Sequence, residues 1–212
     1  MKVPEIEFFF DFYSPYAYLA YQRLPSIAAR FDRKIAFRPI DLRLAKAAAG
    51  NTGPATIEMP IKFHYIMNDI YRWAEKYDAP FLLPDAPTPE SSEANKAVYY
   101  AIQHGMAEPF VKSVWDKTYG AGRGLGDENL LVEVAQDMGW QPEALLSFVD
   151  SPEADAAYRK GNEQAQEIGV FGVPYFRVGN ESWWGNDRLD FLEDHLAVKA
   201  GVSNGVDYAE SN

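Results

Sequence analysis

A serine between an apolar run and a helical pattern is the first residue of this sequence whose position suits chemistry. Ser14 follows IEFFFDFY and precedes Pro15, and proline is favoured at the first position of a helix. The free N–H groups and the positive dipole end of a helix N-terminus favour an anion. Two interpretations follow: an ordinary N-cap, or a hydroxyl that hydrogen-bonds to a bound thiolate and lowers its pKa.

The segment FGVPYF places a proline at the start of a strand-like run. Pro174 fits a trans proline at a strand edge, where proline is common. It also fits a cis peptide bond between Val173 and Pro174. A cis bond would turn the main-chain N–H and C=O of Val173 outward, where they can pair with an extended peptide.

The segment WWGNDRLDF places polar groups at the start of the last predicted helix. Main-chain N–H groups from Gly185 onward and the Asn186 amide can bind a carboxylate, while Asp187 can bind an ammonium. An α-amino acid end needs both, although Asn186 or Asp187 would also serve as the N-cap. With Ser14 and Val173, this segment would hold a short peptide that carries a thiol. Glutathione is such a peptide.

Strand and helix patterns predict the elements that position these segments. Residues 5–11 and the segment KIAFRPIDL read as strands joined by a helix over 15–31, a βαβ unit with parallel strands. A β-hairpin with its turn at Gly179-Asn180 and a C-terminal helix end the pattern. Between them the chain is helical, with helices predicted at about 60–78, 91–104, 107–119, 128–138, 142–149 and 153–168.

This order predicts an α/β fold with a thioredoxin-like core, βαβ then ββα, and a large inserted all-helical subdomain. The core would comprise residues 1–43 and 169–201, and the insertion residues 44–168. The polar tail, 202–212, is expected to fray.

Composition excludes several classes of function. The net charge of −11 and the pI of about 4.7 argue against nucleic acid or an anionic membrane as partner. No apolar run is long enough to span a bilayer, and the N-terminus does not resemble a signal peptide. Cysteine is absent, which excludes thiol–disulfide exchange by the protein itself and favours a cytoplasmic location.

Two further motifs do not indicate sites. The glycines of GAGRGLG alternate and follow a helical pattern, whereas a dinucleotide fingerprint follows a strand. His64, His104 and His195 lack the spacing of metal ligands, so no metal site is expected.

Five segments in order resemble the 2-hydroxychromene-2-carboxylate isomerases, relatives of the kappa-class glutathione transferases in the DsbA branch of the thioredoxin fold. The resemblance covers roughly residues 5–197. The segments are DFYSPYAYLA, IDLRLAKAAAGNTGP, KFHYIMNDIYRWAEKY, FGVPYF and WWGNDRLDFLE.

The resemblance implies a glutathione site. Ser14 matches the serine that contacts the glutathione sulfur and would be the catalytic residue. Val173 and Pro174 match the segment that pairs with the cysteinyl part. The γ-glutamyl end would contact the segment Trp184, Gly185, Asn186 and Asp187. Two further positions match glutathione-binding residues: Asn51 in the GNTGP turn, and Lys62 near the glutathione carboxylates.

The implied reaction interconverts 2-hydroxychromene-2-carboxylate and trans-o-hydroxybenzylidenepyruvate by reversible addition of the glutathione thiolate. Lys46 matches a lysine near the carboxylate of the aromatic substrate, and a cation there would favour the developing enolate. Phe12, Tyr13 and Tyr16 border the same site and are expected to stack on the aromatic ring. Relatives of this kind commonly form homodimers.

The sequence departs from the family at residues expected to contact the aromatic substrate, and not at residues expected to contact glutathione. The loop DAPTPESSEANK lacks the tyrosine and paired arginines expected there, and Thr56-Ile57 lacks a polar-basic pair. Two other functions therefore stay open: a kappa-like glutathione transferase or peroxidase, and a non-catalytic, DsbA-like peptide-binding protein.

Overall fold

The computed structural model describes residues 4–84 and 90–200, and these form one four-stranded mixed sheet with surrounding helices. The strands are Ile6–Phe10 (β1), Ile35–Pro39 (β2), Tyr175–Val178 (β3) and Glu181–Trp184 (β4). The helices of the described residues are Pro15–Arg30 (α1), Leu42–Ala48 (α2), Pro60–Lys76 (α3), Ser92–Gln103 (α4), Ala107–Lys117 (α5), Leu130–Asp137 (α6), Pro142–Val149 (α7), Pro152–Glu167 (α8) and Leu189–Lys199 (α9), with 3-10 turns at Thr56–Glu58 and Asn186–Arg188.

The sheet confirms the predicted βαβ and ββα order. Its strands lie in the order β2-β1-β3-β4, with β1 parallel to β2 and antiparallel to β3. Strands β3 and β4 form the predicted hairpin around Gly179-Asn180. Across the two described ranges, no helix has both the length and the apolar character needed to cross a membrane.

The register brings three chain segments to one end of the sheet. Phe10 of β1 lies opposite Pro39 of β2, and Phe9 lies opposite Tyr175 of β3. The segments that follow β1 and β2 therefore emerge beside the segment that precedes β3. This geometry places Ser14, the start of α2 and Pro174 at the same end of the sheet.

An aromatic core covers one face of the sheet. Phe8 stacks on Phe176 with ring centroids 5.4 Å apart, and Phe10 packs against Trp115 of α5 at 5.2 Å. All four side chains are buried, and each such burial stabilises the fold by roughly 1.5–3 kcal/mol. Sheet and helices thus share one hydrophobic core.

A second, smaller cluster lies on the opposite face. It joins Phe9 and Tyr175 of the sheet to Ala45 of α2 and to Val173. Helix α2 and the segment that contains Pro174 therefore contribute to the same apolar cluster on this face of the sheet.

Helix α2 is the element that the sequence patterns missed. Its N-cap is Asp41, whose carboxylate accepts hydrogen bonds from the main-chain N–H groups of Arg43 and Leu44. The strand predicted in KIAFRPIDL ends at Pro39, and the rest of that segment begins α2. The predicted boundary between core and insertion, at residue 43, falls inside this helix.

The predicted start of the last helix is wrong. Neither Asn186 nor Asp187 caps it, because a 3-10 turn over Asn186–Arg188 precedes it and α9 begins at Leu189. The Asn186 side chain is buried instead. Residues 85–89 of the proline-rich loop and the predicted tail, 202–212, lie outside the described residues.

Candidate active site

Ser14 is the N-cap residue of α1 and is buried, with 5% of its surface exposed. Its Oγ accepts a hydrogen bond from the main-chain N–H of Ala17 at 3.2 Å. Its own N–H donates to the carbonyl oxygen of Asp11 at 2.9 Å, which closes a turn between β1 and the helix. The N-cap interpretation of Ser14 is therefore confirmed. The capping hydrogen bond occupies a lone pair of the Ser14 hydroxyl oxygen and does not involve the hydroxyl hydrogen.

The chain contains a second Ser-Pro helix start that serves as an internal comparison. Ser151 caps α8, and its Oγ accepts from the N–H of Ala154 at 3.2 Å, as Ser14 does in α1. The Ser151 hydroxyl also donates to the carbonyl oxygen of Phe148 at 2.6 Å. No described residue accepts the hydroxyl hydrogen of Ser14. That hydrogen remains available to a bound acceptor at the positive end of α1.

The peptide bond between Val173 and Pro174 is cis, one of the two alternatives that the sequence allowed. Neither the N–H nor the C=O of Val173 bonds to a described residue, so this main chain offers both a donor and an acceptor. The carbonyl oxygen of Pro174 accepts from the N–H of Gly185 at 2.9 Å. This bond joins the Val173 segment directly to the segment Trp184–Asp187.

Asn186 has an unpaired donor in the interior. The residue is 4% exposed, and its Nδ2 atom is buried without a hydrogen-bond partner among the described residues. Its main-chain carbonyl accepts from the Tyr77 hydroxyl at 3.3 Å, so the turn is fixed while the Nδ2 atom stays unpaired. A buried unpaired donor costs roughly 1–3 kcal/mol, and a bound carboxylate would remove that cost.

Asp187 lies beside this amide on the exposed side of the turn. Its carboxylate forms an ion pair with Arg188 at 2.6 Å and is 43% exposed, so it remains open to a ligand ammonium. Trp184 is half-exposed and packs edge-to-face on Phe171 with ring centroids 4.9 Å apart. The turn thus combines an exposed carboxylate acceptor, a buried carboxamide donor and a half-exposed aromatic surface.

Gly185 permits the conformation of this turn. Its φ is +107°, and a Cβ atom there would overlap with Oδ1 of Asp187. We expect Gly185→Ala to lower the free energy of unfolding by about 2–3 kcal/mol, because a φ of +107° with a ψ of 147° strains any residue that has a Cβ atom, whereas the Asp187 side chain can rotate away. Gly179→Ala is the matched control, since φ is +62° there but the space is open. Gly179→Ala should lower the free energy of unfolding by only about 1 kcal/mol. Equal losses of unfolding free energy for the two variants in urea denaturation would contradict this account of Gly185.

Tyr16 lies in the first turn of α1, and its hydroxyl donates to Oδ2 of Asp69 in α3 at 2.8 Å. Burial, the Asp69 hydrogen bond and nearby charges including that of Asp187 raise the pKa of Tyr16, so the hydroxyl stays protonated. The ring is partly exposed beside Ser14. Sequence patterns gave no signal for Asp69, which lies 53 residues from Tyr16.

Phe12 is a correction to the expected substrate contacts. It is fully buried, and its ring packs against Phe10 and Trp115 at 5.3 and 5.2 Å. A ring held this deeply in the core cannot stack on a bound substrate. Tyr13 is partly exposed, so of the three predicted aromatic contacts Tyr13 and Tyr16 are accessible.

The predicted cationic and amide contacts lie on α2, on the turn after it and on α3. Lys46 is partly exposed, and its main-chain carbonyl accepts from the N–H of Asn51 at 2.9 Å. Lys62, in the first turn of α3, is exposed. Neither lysine forms an ion pair with a described residue. Among the described residues, no hydrogen bond joins Lys46, Asn51 or Lys62 to Ser14.

Outside the candidate site, the described ranges hold a cavity but no metal-binding cluster. Within residues 4–84 and 90–200, no group of three or more histidine, aspartate or glutamate side chains could hold a metal ion. A cavity of about 550 Å³ lies between β2, the end of α1 and the turn from α4 to α5. None of its lining residues belongs to the candidate site.

Comparison with known proteins identifies related chains along almost the whole length. Residues 5–197 match the model of the DSBA-like thioredoxin domain. The 2-hydroxychromene-2-carboxylate isomerase of Sphingobium xenophagum is 44% identical over 191 residues, which is 90% of this chain and 97% of that protein.

A solved 2-hydroxychromene-2-carboxylate isomerase superposes with a TM-score of 0.87 at 35% identity, covering 94% of this chain and 99% of the other. More distantly, a kappa 2 glutathione S-transferase of Caenorhabditis elegans is 25% identical, over 91% of each chain.

Proposed function

The chain belongs to the DSBA-like thioredoxin family and, within it, to the 2-hydroxychromene-2-carboxylate isomerases, and we propose that it performs this isomerisation with glutathione bound at Ser14. The reaction interconverts 2-hydroxychromene-2-carboxylate and trans-o-hydroxybenzylidenepyruvate. When bound, glutathione supplies a thiolate whose reversible addition removes the double-bond character that blocks rotation.

The protein's first contribution is to favour the ionised form of the thiol bound at Ser14. The free hydroxyl hydrogen can donate to a sulfur anion, and the N-terminal end of α1 adds a favourable electrostatic field. Both effects act on the charged form only, so they lower the pKa of a bound thiol. Because Ser14 is buried, water competes weakly for this hydrogen bond.

The peptide part of glutathione would be held by main chain and by the Asn186 turn. The N–H and C=O of Val173 can pair with the cysteinyl residue as an added strand does. The unpaired Nδ2 of Asn186 can donate to the γ-glutamyl carboxylate, and Asp187 can accept from its ammonium. Trp184 and Gly185 shape the turn beside them, while Asn51 and Lys62 would contact the remaining polar groups.

The aromatic substrate would lie next to the sulfur. Lys46, free of ion pairs with described residues, can bind its carboxylate and stabilise negative charge that develops on the adjoining oxygen. The rings of Tyr13 and Tyr16 can contact its aromatic ring. The two departures, at Thr56-Ile57 and in the loop after Pro84, concern positions that the resemblance assigns to the aromatic substrate, and a related substrate would be distinguished by such positions.

One observation carries the glutathione assignment. Both Ser-Pro caps accept a 3.2 Å hydrogen bond. The Ser151 hydroxyl also donates to the Phe148 carbonyl, whereas the Ser14 hydroxyl donates to no described residue. The experiment is a spectrophotometric assay of the purified protein with 2-hydroxychromene-2-carboxylate, with and without added glutathione. We expect turnover that requires glutathione.

The kappa-class relative supports a second candidate, a glutathione transferase or peroxidase. A chlorinated aromatic acceptor tests it in the same preparation. Turnover of that acceptor alone would reject the isomerase. Absence of a calorimetric signal with glutathione, together with no thermal stabilisation, would instead indicate a non-catalytic peptide-binding protein.

A further inference from the structure

The turn between β1 and α1 is held by buried side chains from distant parts of the chain. Only three residues, Asp11, Phe12 and Tyr13, lie between the end of β1 and Ser14. The main-chain N–H of each of Phe12, Tyr13 and Ser14 is hydrogen-bonded. A turn bound so completely fixes the main chain from which the Ser14 side chain projects.

Asp11 and Asn95 hold the inner side of the turn. The Asp11 carboxylate accepts from the N–H of Tyr13 at 3.0 Å and from the N–H of Leu42 at 2.9 Å. The Asn95 amide donates to Asp11 at 3.2 Å and accepts from the N–H of Phe12 at 3.4 Å. Asp11 and Asn95 are both buried, and such polar groups are stable only when paired. They therefore tie the turn to α2 and α4.

Tyr119 holds the outer side. Its hydroxyl donates to the carbonyl oxygen of Tyr13 at 2.6 Å, across 106 residues of sequence. Its ring is buried and stacks on Phe81 with centroids 5.4 Å apart. Burial raises the pKa of Tyr119, so the hydroxyl remains a donor.

We propose that Tyr119 and the Asp11–Asn95 pair are positioning residues that aim the Ser14 hydroxyl at the bound thiol. They do not contact the reacting atoms, and they act by fixing the main chain on either side of Tyr13. This inference rests on the proposed function, since the orientation of the Ser14 hydroxyl affects the reaction only if Ser14 contacts the sulfur.

Tyr119→Phe tests the proposal, because it deletes one hydroxyl and keeps the stacked ring. Tyr21→Phe is the matched control: Tyr21 is equally buried and also donates to a main-chain carbonyl, that of Glu108 at 3.2 Å, away from Ser14. We expect faster amide exchange at Tyr13 and Ser14 in the ligand-free Tyr119→Phe protein only. We also expect a raised pKa of the bound glutathione thiol, measured by ultraviolet absorbance.

The kinetic signature should separate positioning from binding. In Tyr119→Phe, kcat should fall about tenfold with KM for the organic substrate unchanged, the size expected for one neutral hydrogen bond. The rise of kcat with pH should shift to higher pH. In Tyr21→Phe these quantities should equal those of the wild type.

Two results would overturn the proposal. One is that both variants match the wild type in amide exchange, thiol pKa and kcat. The other is faster exchange in Tyr119→Phe with an unchanged thiol pKa, which would mean that the turn is held for stability alone. If the wild-type protein binds no glutathione, the proposed function fails. Amide exchange in the ligand-free protein then still shows whether Tyr119 fixes the turn.

Discussion

Ser14→Ala should lower turnover about 10- to 100-fold while the protein stays folded. The hydroxyl is expected to donate to a charged sulfur, and such hydrogen bonds are worth about 1.5–3 kcal/mol. The pKa of bound glutathione should rise, because the lost bond favoured the thiolate alone. Losing the cap itself should cost only about 1 kcal/mol of unfolding free energy.

Ser151→Ala is the control for this variant. It removes the same cap, at the same distance, from a helix of the same length. Because Ser151→Ala also loses the hydrogen bond to Phe148, it should lose at least as much stability as Ser14→Ala in urea denaturation, while only Ser14→Ala changes kcat and the thiol pKa. Equal activity in the two variants would make Ser14 a cap and nothing more.

Asn186→Leu should have opposite effects on binding and on stability. Leucine is similar in shape to asparagine and removes the buried, unpaired Nδ2. We expect glutathione affinity to fall at least about tenfold, since the lost donor would face a carboxylate. The unfolding free energy of the ligand-free protein should stay the same or rise by about 1 kcal/mol.

Asn162→Leu provides the contrast. Asn162 is also buried, but its amide accepts from the N–H of Asp41 and donates to the carbonyl of Tyr158. Its replacement should therefore destabilise the protein by about 1–3 kcal/mol and leave glutathione affinity unchanged. Calorimetry that finds wild-type glutathione affinity in Asn186→Leu would remove Asn186 from the site.

Local patterns were sufficient for the parts of the fold that depend on neighbouring residues. The Ser-Pro start of α1, the hairpin around Gly179-Asn180 and the βαβ unit follow from short-range preferences, and all are present. Helix α2 was missed because it is short and continues a strand-like segment. The 3-10 turn at Asn186 was missed because asparagine and aspartate before an apolar run normally indicate a cap.

The interior of the site could not be predicted in this way. Asn95, Tyr119 and Asp69 reach the start of α1 from 53 to 106 residues away, through contacts that exist only in the folded chain. Phe12 was placed at the site because of its neighbours in sequence. Strand β1 ends just before it, and its ring continues inward into the core.

The central claim is that a bound glutathione places its sulfur at the Ser14 hydroxyl. A crystal structure of the protein soaked with glutathione tests this most directly. We predict the sulfur within hydrogen-bonding distance of Ser14 Oγ, the cysteinyl main chain paired with Val173 and the γ-glutamyl carboxylate on Asn186. Glutathione bound elsewhere, or absent from crystals at saturating concentration, would contradict the account.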